Sequence, residues 1–200
     1  MMIRNFLKFT FWFALLAGLV MLAYYWVISS TAYDNYLISS MPDDKIYCRQ
    51  DNKPITHTEL NKKLKNKGVF KEKADAFIKA AEKYNVDPTL VASIALFETG
   101  KGTSNAVKNY NNPGGLMNPK NPMEFLHFST LEQGIEAMTA NLYRNYIQKG
   151  LYTPEQIAPI YAPVGAKNDI HDTNSHWAPT VTKFINYLGG LMEHCQVKQD

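Results

Sequence analysis

From Phe9 to Ile28 the chain reads FTFWFALLAGLVMLAYYWVI, a run in which Thr10 is the one clearly polar position. A helix of that length, rising about 1.5 Å per residue, spans roughly 30 Å, one hydrocarbon core. Arg4 and Lys8 precede the run, and Asp34, Asp43 and Asp44 follow it. The positive-inside rule therefore keeps the N-terminus in the cytoplasm and sends the rest outward. Trp12 near one end and Tyr24, Tyr25 and Trp26 near the other fit interfacial aromatic belts. A cleavable signal peptide is the competing reading. Ser30-Thr31-Ala32 loosely resembles a small-residue cleavage site, although the apolar run exceeds the usual h-region. Both readings place the body outside the cytoplasm, in a periplasm or on the cell-wall side of the cytoplasmic (inner) membrane. The expected division is 1–28 as cytoplasmic tail and single-pass signal anchor, 29–55 as extracytoplasmic tether, and 56–200 as one domain.

Beyond the tether the hydrophobic period changes to that of short helices. Thr56-His57-Thr58-Glu59 is a capping box opening a lysine-rich helix that ends near Gly68. Ala74, Phe77, Ile78, Ala81 and Tyr84 recur at helical spacing and predict a helix over roughly 71–85. Asp87-Pro88 is an N-cap followed by proline at the first helical position. That helix carries Leu90, Val91, Ile94 and Ala95 and stops near Gly100. A loop of Asn, Gly and Pro covers 101–123. Ser129-x-x-Glu132 caps a longer helix, and Thr153-Pro154-Glu155-Gln156 starts a short one toward Tyr161. After a polar loop, 162–175, a last helix places Trp177, Val181, Phe184 and Leu188 in register, closed by Gly189-Gly190. Strand alternation is confined to a short piece around Phe125–Phe128. The expected fold is an all-α body, with at most a minimal β-lobe, behind one N-terminal transmembrane helix.

Charge removes one class of partner. The net charge is +3, and Arg4 and Lys8 supply two of those charges, leaving a nearly balanced body. Nucleic-acid binders need a dense basic face, so no nucleic-acid partner is expected. Lys62, Lys63, Lys65 and Lys67 could favour an anionic surface or simply form a solvated helix face. The two cysteines, Cys48 and Cys195, both fall on the outward side, where a bridge would persist and tie the start of the body to its last helix. Two unrelated thiols are the alternative.

Glu98 does not fit a plain amphipathic helix. It lies four residues after Ile94 and seven after Val91, on the face that packs inward. An ionised carboxylate there is costly unless paired. Desolvation favours its neutral form, and a carboxylic acid still protonated near neutral pH is what glycosidic cleavage needs. A buried ion pair or a frayed helix end would also explain the position. After Glu98 come Thr99-Gly100-Lys101-Gly102, glycines that let another chain approach closely, then Asn109-Tyr110-Asn111-Asn112-Pro113-Gly114-Gly115-Leu116-Met117. Amides, a phenol and open backbone suit an N-acetylated sugar, and they also suit an ordinary surface loop.

Four ordered pieces carry a resemblance: ADAFIKAAEKYNVDPTLVASIALFETGKGTS, NYNNPGGLMNP, FSTLEQGIEAM and YAPVGAKNDIHDTNSHW. Over about Leu64–Leu188 the chain resembles the glucosaminidase-type peptidoglycan hydrolases of the lysozyme-like superfamily. The resemblance implies a lysozyme-like fold, with peptidoglycan glycan strands as substrate and no cofactor. It implies that Glu98 of the E-T-G motif is the general acid and that Tyr161 lines the cleft beside the scissile sugar. It also implies that Asn111, Asn112 and Gly115 shape the sugar subsite. Tyr110, Met117 and Trp177 are further candidates for sugar contact, Trp177 packing beneath the cleft or lining it. The usual asparagine–leucine–phenylalanine–glycine loop is Asn112-Pro113-Gly114-Gly115 here, and its Gly-Leu-Met resembles the loop of lytic transglycosylases. The lobe that carries a second carboxylate in many glucosaminidases is shortened, leaving Glu124 as the sole acid between Glu98 and Glu132 and the candidate base.

His171 and His176, beside Asp169 and Asp172, invite a metal, but their spacing matches neither a helical His pair nor a calcium loop, so no metal is expected. Asp169 and Asn174 instead fit a loop pinned by side-chain to backbone bonds. The leading expectation is a membrane-anchored endo-β-N-acetylglucosaminidase cutting the β-1,4 bond of the wall glycan. The rivals are a lytic transglycosylase forming 1,6-anhydro-muramic ends and a non-catalytic glycan-binding or scaffold module, with residues 45–70 facing an envelope protein partner.

Overall fold

The apolar N-terminal run folds as one helix, α1 (Met2–Ser40), which continues well past Ile28. The structure is a computed structural model describing residues 2–198 except Asp51, Asn168, Ile170 and His171, with the side chains of residues 2–15 and of Lys198 left out. Residues 29–40, expected as irregular tether, continue the helix, and serine hydroxyls in this stretch bond carbonyls of the preceding turn. Ser29 and Ser30 donate to the Trp26 and Val27 carbonyls, and Ser39 and Ser40 to those of Tyr36 and Leu37. Leu16–Ser40 is long and apolar enough to cross a membrane. Helix α1 is one compact unit, and Met41–Asp200 is the other.

The second unit runs β1 (Tyr47–Cys48), α2 (His57–Leu64), α3 (Ala74–Tyr84), α4 (Pro88–Glu98), α5 (Asn105–Tyr110), β2 (Met117–Asn118), β3 (Asn121–Phe125), α6 (Leu131–Asn145), α7 (Pro154–Tyr161), α8 (Trp177–Leu188) and β4 (Val197–Lys198). Strand β1 pairs in parallel with β4, and β2 pairs antiparallel with β3, Met117 opposite Phe125. The body is thus mostly helical with a minimal hairpin. That hairpin and α5 occupy the stretch expected as loop, and the strand lies slightly before the expected Phe125–Phe128.

Local chemistry explains most helix starts. The Thr56–Glu59 and Thr153–Gln156 capping boxes are both formed. Asp87 accepts the Thr89 amide at 2.8 Å, with Pro88 next to it at the helix start. At α6 the cap is Thr130 rather than Ser129: its hydroxyl accepts the Gln133 amide at 3.2 Å. Glu132, expected to close a box with Ser129, instead meets Lys73 at 2.7 Å.

Helix α4 is the centre of the body. Every residue from Pro88 to Leu96 is buried, Thr89 and Ser93 included. Helices α3 and α8 pack on it, α6 packs on α3, α7 on α8, and α2 on both α3 and α8. A helix apolar on one side only would leave a wet face; this one has none. The lysine-rich segment is not uniformly solvated either. Lys67 is 1% exposed, and its ammonium and that of Lys63 lie 4.9 and 4.6 Å from the centre of the Tyr187 ring.

Residues 41–55 are packed onto the body rather than free. Asn186 on α8 is their hub: its Nδ2 donates to the Pro42 and Lys45 carbonyls at 2.9 and 2.8 Å, while its Oδ1 accepts the Tyr47 amide at 2.8 Å. Cys48 and Cys195 are bridged, with their Cα atoms 5.0 Å apart. Cys195 lies beyond α8, so the bridge joins the lead-in to the C-terminal strand segment rather than to the last helix. Closing a loop this long contributes about 3–5 kcal/mol in the chain-entropy account. Replacing both cysteines by serine is therefore expected to lower the thermal midpoint by roughly 10 °C, measured by circular dichroism under non-reducing conditions.

Candidate active site

Glu98 is the last residue of α4. The next turn is built by Thr99, whose buried hydroxyl donates to the Ala95 carbonyl at 2.6 Å and accepts the Gly102 amide at 2.8 Å. Gly102 in turn lies so close to Lys67 that a Cβ there would strike the Lys67 carbonyl. The threonine and glycines after Glu98 thus hold the helix end against the segment following α2.

The Glu98 carboxyl is half-buried between α8 and α7. The Trp177 indole Nε1–H donates to Oε1 at 3.0 Å, and the Tyr161 hydroxyl also hydrogen-bonds the carboxyl. Burial pushes the pKa of Glu98 up, and these two donors pull it partly back. Among the described residues, neither a lysine or arginine nor a second carboxylate enters this balance. The Tyr161 phenol is pushed well above its ordinary value by burial and by the adjacent Glu98. A chain of rings backs the carboxyl: Phe97 lies 6.3 Å from Trp177 in an edge arrangement, Trp177 lies 4.8 Å from Tyr161, and Tyr161 lies 5.8 Å from Tyr146.

The opposite side of the carboxyl faces the Asn111–Leu116 loop. Gly115, at φ +60°, passes alongside it, and a Cβ on Gly115 would lie 4.0 Å from Glu98 Oε2. Asn112 is fully buried. Its Nδ2 donates to the Leu116 and Leu126 carbonyls at 2.8 and 2.9 Å, and its Oδ1 accepts the Leu116 amide at 2.9 Å. Asn111 adopts the left-handed conformation that ends α5 and donates from Nδ2 to the Phe128 carbonyl at 3.0 Å. Both asparagines shape the loop from behind. Gly134 on α6 makes room for it, since any side chain there would collide with the Asn111 carbonyl.

The structure therefore gathers Glu98, Tyr161, Trp177 and Gly115 around one carboxyl group. Trp177, expected as a sugar contact or as packing beneath the cleft, is 2% exposed and bonds the Glu98 carboxyl from within the core. Tyr110 stacks on His127 with ring centres 4.0 Å apart, toward the hairpin, and Met117 is 42% exposed there. Glu124 stands exposed on β3, and no interaction joins it to Glu98 among the described residues. Tyr146 and Phe97 were not legible as site residues, because an aromatic at helical spacing reads as core. In the following loop Asp169 accepts the Thr173 and Asn174 amides at 2.7 and 3.1 Å, and Asn174 donates to the Pro163 carbonyl, pinning it as expected. His171 lies outside the described residues.

A family model described as mannosyl-glycoprotein endo-beta-N-acetylglucosaminidase matches residues 74–190. The chain belongs to this glucosaminidase family. Bifunctional autolysins of Staphylococcus epidermidis and Staphylococcus aureus are 49% identical over 49 residues and 43% identical over 54 residues. Those stretches cover 24% and 27% of this chain and 4% of the autolysins. Crystal structures of S. aureus autolysin E in complex with the muropeptide NAM-L-Ala-D-iGlu and of the major bifunctional autolysin share the fold, with TM-scores of 0.57 and 0.54 at 18% and 22% identity. They cover 78% and 84% of this chain and 76% and 79% of their own. The matched residues include Glu98, Gly115, Tyr161 and Trp177.

The raised pKa of Glu98 fixes the sign of a stability effect. Ionisation is penalised in the folded state, so the penalty is absent when the group is protonated in both states and complete once pH exceeds the folded value. Glu98→Gln is expected to raise the thermal midpoint at pH 7–8, with the difference from wild type vanishing below about pH 4. Calorimetric scans across that range test it.

Proposed function

We propose that this glucosaminidase domain is a peptidoglycan glycosidase, cutting the β-1,4 glycan strand as an endo-β-N-acetylglucosaminidase tethered to the membrane by α1. The supporting observation is the Glu98 carboxyl, desolvated and held by neutral donors alone. A paired lysine or arginine would keep it ionised and unable to donate. Muropeptide and disaccharide complexes of autolysin E, which has the same fold, support the substrate class.

In this reading Glu98 donates its proton to the glycosidic oxygen as the bond from that oxygen to the anomeric carbon breaks. The substrate's own 2-acetamido carbonyl oxygen bonds to that carbon from the other face. Water then opens the ring so formed, passing its proton to the Glu98 carboxylate, and the acid is restored with retained configuration. One carboxyl group suffices for both steps. The Tyr161 hydroxyl and the Trp177 indole steady the carboxylate between them, and the Gly115 loop leaves room for the sugar. The helix α1 confines the activity to wall close to the membrane.

The absence of a second carboxylate from the described surroundings of Glu98 also favours a transglycosylase, in which the muramic 6-hydroxyl attacks instead. Full-length protein in detergent, incubated with purified sacculi, separates the two by mass spectrometry. Reducing-end N-acetylglucosamine is expected; 1,6-anhydro-muramic ends would establish the transglycosylase. Glu98→Gln is expected to lower the rate by roughly 10³-fold or more, whereas Glu124→Gln stays within about threefold of wild type. Equal release by Glu98→Gln and wild type would leave the glycan-binding or scaffold reading.

A further inference from the structure

We propose that Trp177 is a positioning residue that decides which oxygen of the Glu98 carboxyl carries the transferable proton, a role that rests on Glu98 being the general acid. The indole N–H is a donor and nothing else. In a neutral carboxylic acid the carbonyl oxygen is the better acceptor, so an N–H 3.0 Å from Oε1 selects Oε1 as the carbonyl and leaves the O–H on Oε2. Oε2 is the oxygen that faces Gly115. The proton is thereby assigned to the oxygen that lies beside the Gly115 backbone.

The indole is itself immobilised. Trp177 is the first residue of α8, is 2% exposed, and is packed between the Phe97 and Tyr161 rings. A ring so enclosed presents no face on which a sugar could stack, so its effect on the reaction passes through Glu98. When the proton has left, the same N–H bonds the carboxylate and becomes charge-assisted, which favours departure. Trp177 thus sets the proton's location before transfer and steadies the charge afterwards.

The test removes the N–H and keeps the ring. Site-specific replacement of the Trp177 indole by benzothiophene, in full-length protein, substitutes sulfur for N–H with little change in shape; Trp177→Phe is the coarser companion. Loss of the bond is expected to lower kcat by about 10–100-fold, to leave KM within about twofold and to move the basic limb of the kcat–pH profile upward. The upward direction follows because the carboxylate has lost a donor. The thermal midpoint of the benzothiophene form is expected to stay near wild type. An unmoved kcat and pH limb would overturn the proposal, as would a raised KM with unchanged kcat, the signature of sugar contact. An active Glu98→Gln variant instead overturns the general-acid reading itself. An inactive Glu98→Gln beside an unaltered benzothiophene form overturns only the role of Trp177.

Discussion

A carboxyl group at the C-terminal end of a helix buried on all sides meets two penalties on its charge. Burial removes water, and the helix end itself carries partial negative charge from its free carbonyls. A cationic partner would cancel both, but it would also lock the group as a carboxylate. Around Glu98 the described partners are an indole N–H and a phenol, which offset part of the penalty without adding charge. Both protonation states remain within reach, as the proposed acid role requires.

The rest of the body keeps this balance in place by fixing α4 at both ends. At its start Asp87 accepts two amides, Thr89 at 2.8 Å and Met192 at 2.9 Å, and so ties the helix to the chain beyond α8. That same chain pairs with the lead-in through β1 and β4 and through the Cys48–Cys195 bridge. At its end the Thr99 turn and Trp177 hold it. The facing loop is equally constrained, because Asn112 spends its whole side-chain amide on backbone groups. A buried amide that lost such partners would leave unpaired carbonyls at about 1–3 kcal/mol each. Loop and helix end are thus each held by buried hydrogen bonds, which the proposed proton transfer would need for a fixed geometry.

Local signals were legible in the sequence, and distant partners were not. The capping boxes at Thr56 and Thr153, the Asp87-Pro88 start and the Gly189 stop depend on residues a few positions apart, so pattern reading found them. Thr130 in place of Ser129 is the one-residue slip expected where two hydroxyls adjoin. Glu98 was singled out as an acid on the apolar face of an amphipathic helix; α4 has no polar face, and the carboxyl is desolvated because α7 and α8 close over the helix end. Trp177 is 79 positions from Glu98, and no periodicity links an indole N–H to one carboxyl oxygen. Asn112 was read, from the resemblance, as shaping a sugar subsite, and only the folded loop reveals that its amide bonds backbone groups of the loop itself. Lys67 follows the same rule, as a lysine run looks solvated until an aromatic ring from another helix meets it.

The short hairpin carries the argument one step further. Between Glu98 and Glu132 the chain holds a single acid, Glu124, on the exposed strand β3. A longer lobe could bring a carboxylate back over the helix end, and that negative charge would raise the pKa of Glu98 further and add a base. With only β2 and β3 there, the pKa of Glu98 depends, among the described residues, on desolvation and neutral donors, and the proposed cleavage would pass both of its halves through the two oxygens of this one carboxyl. The two oxygens then differ in surroundings, one bonded to an enclosed indole and one beside the Gly115 backbone, and the proposed proton transfer would use that difference.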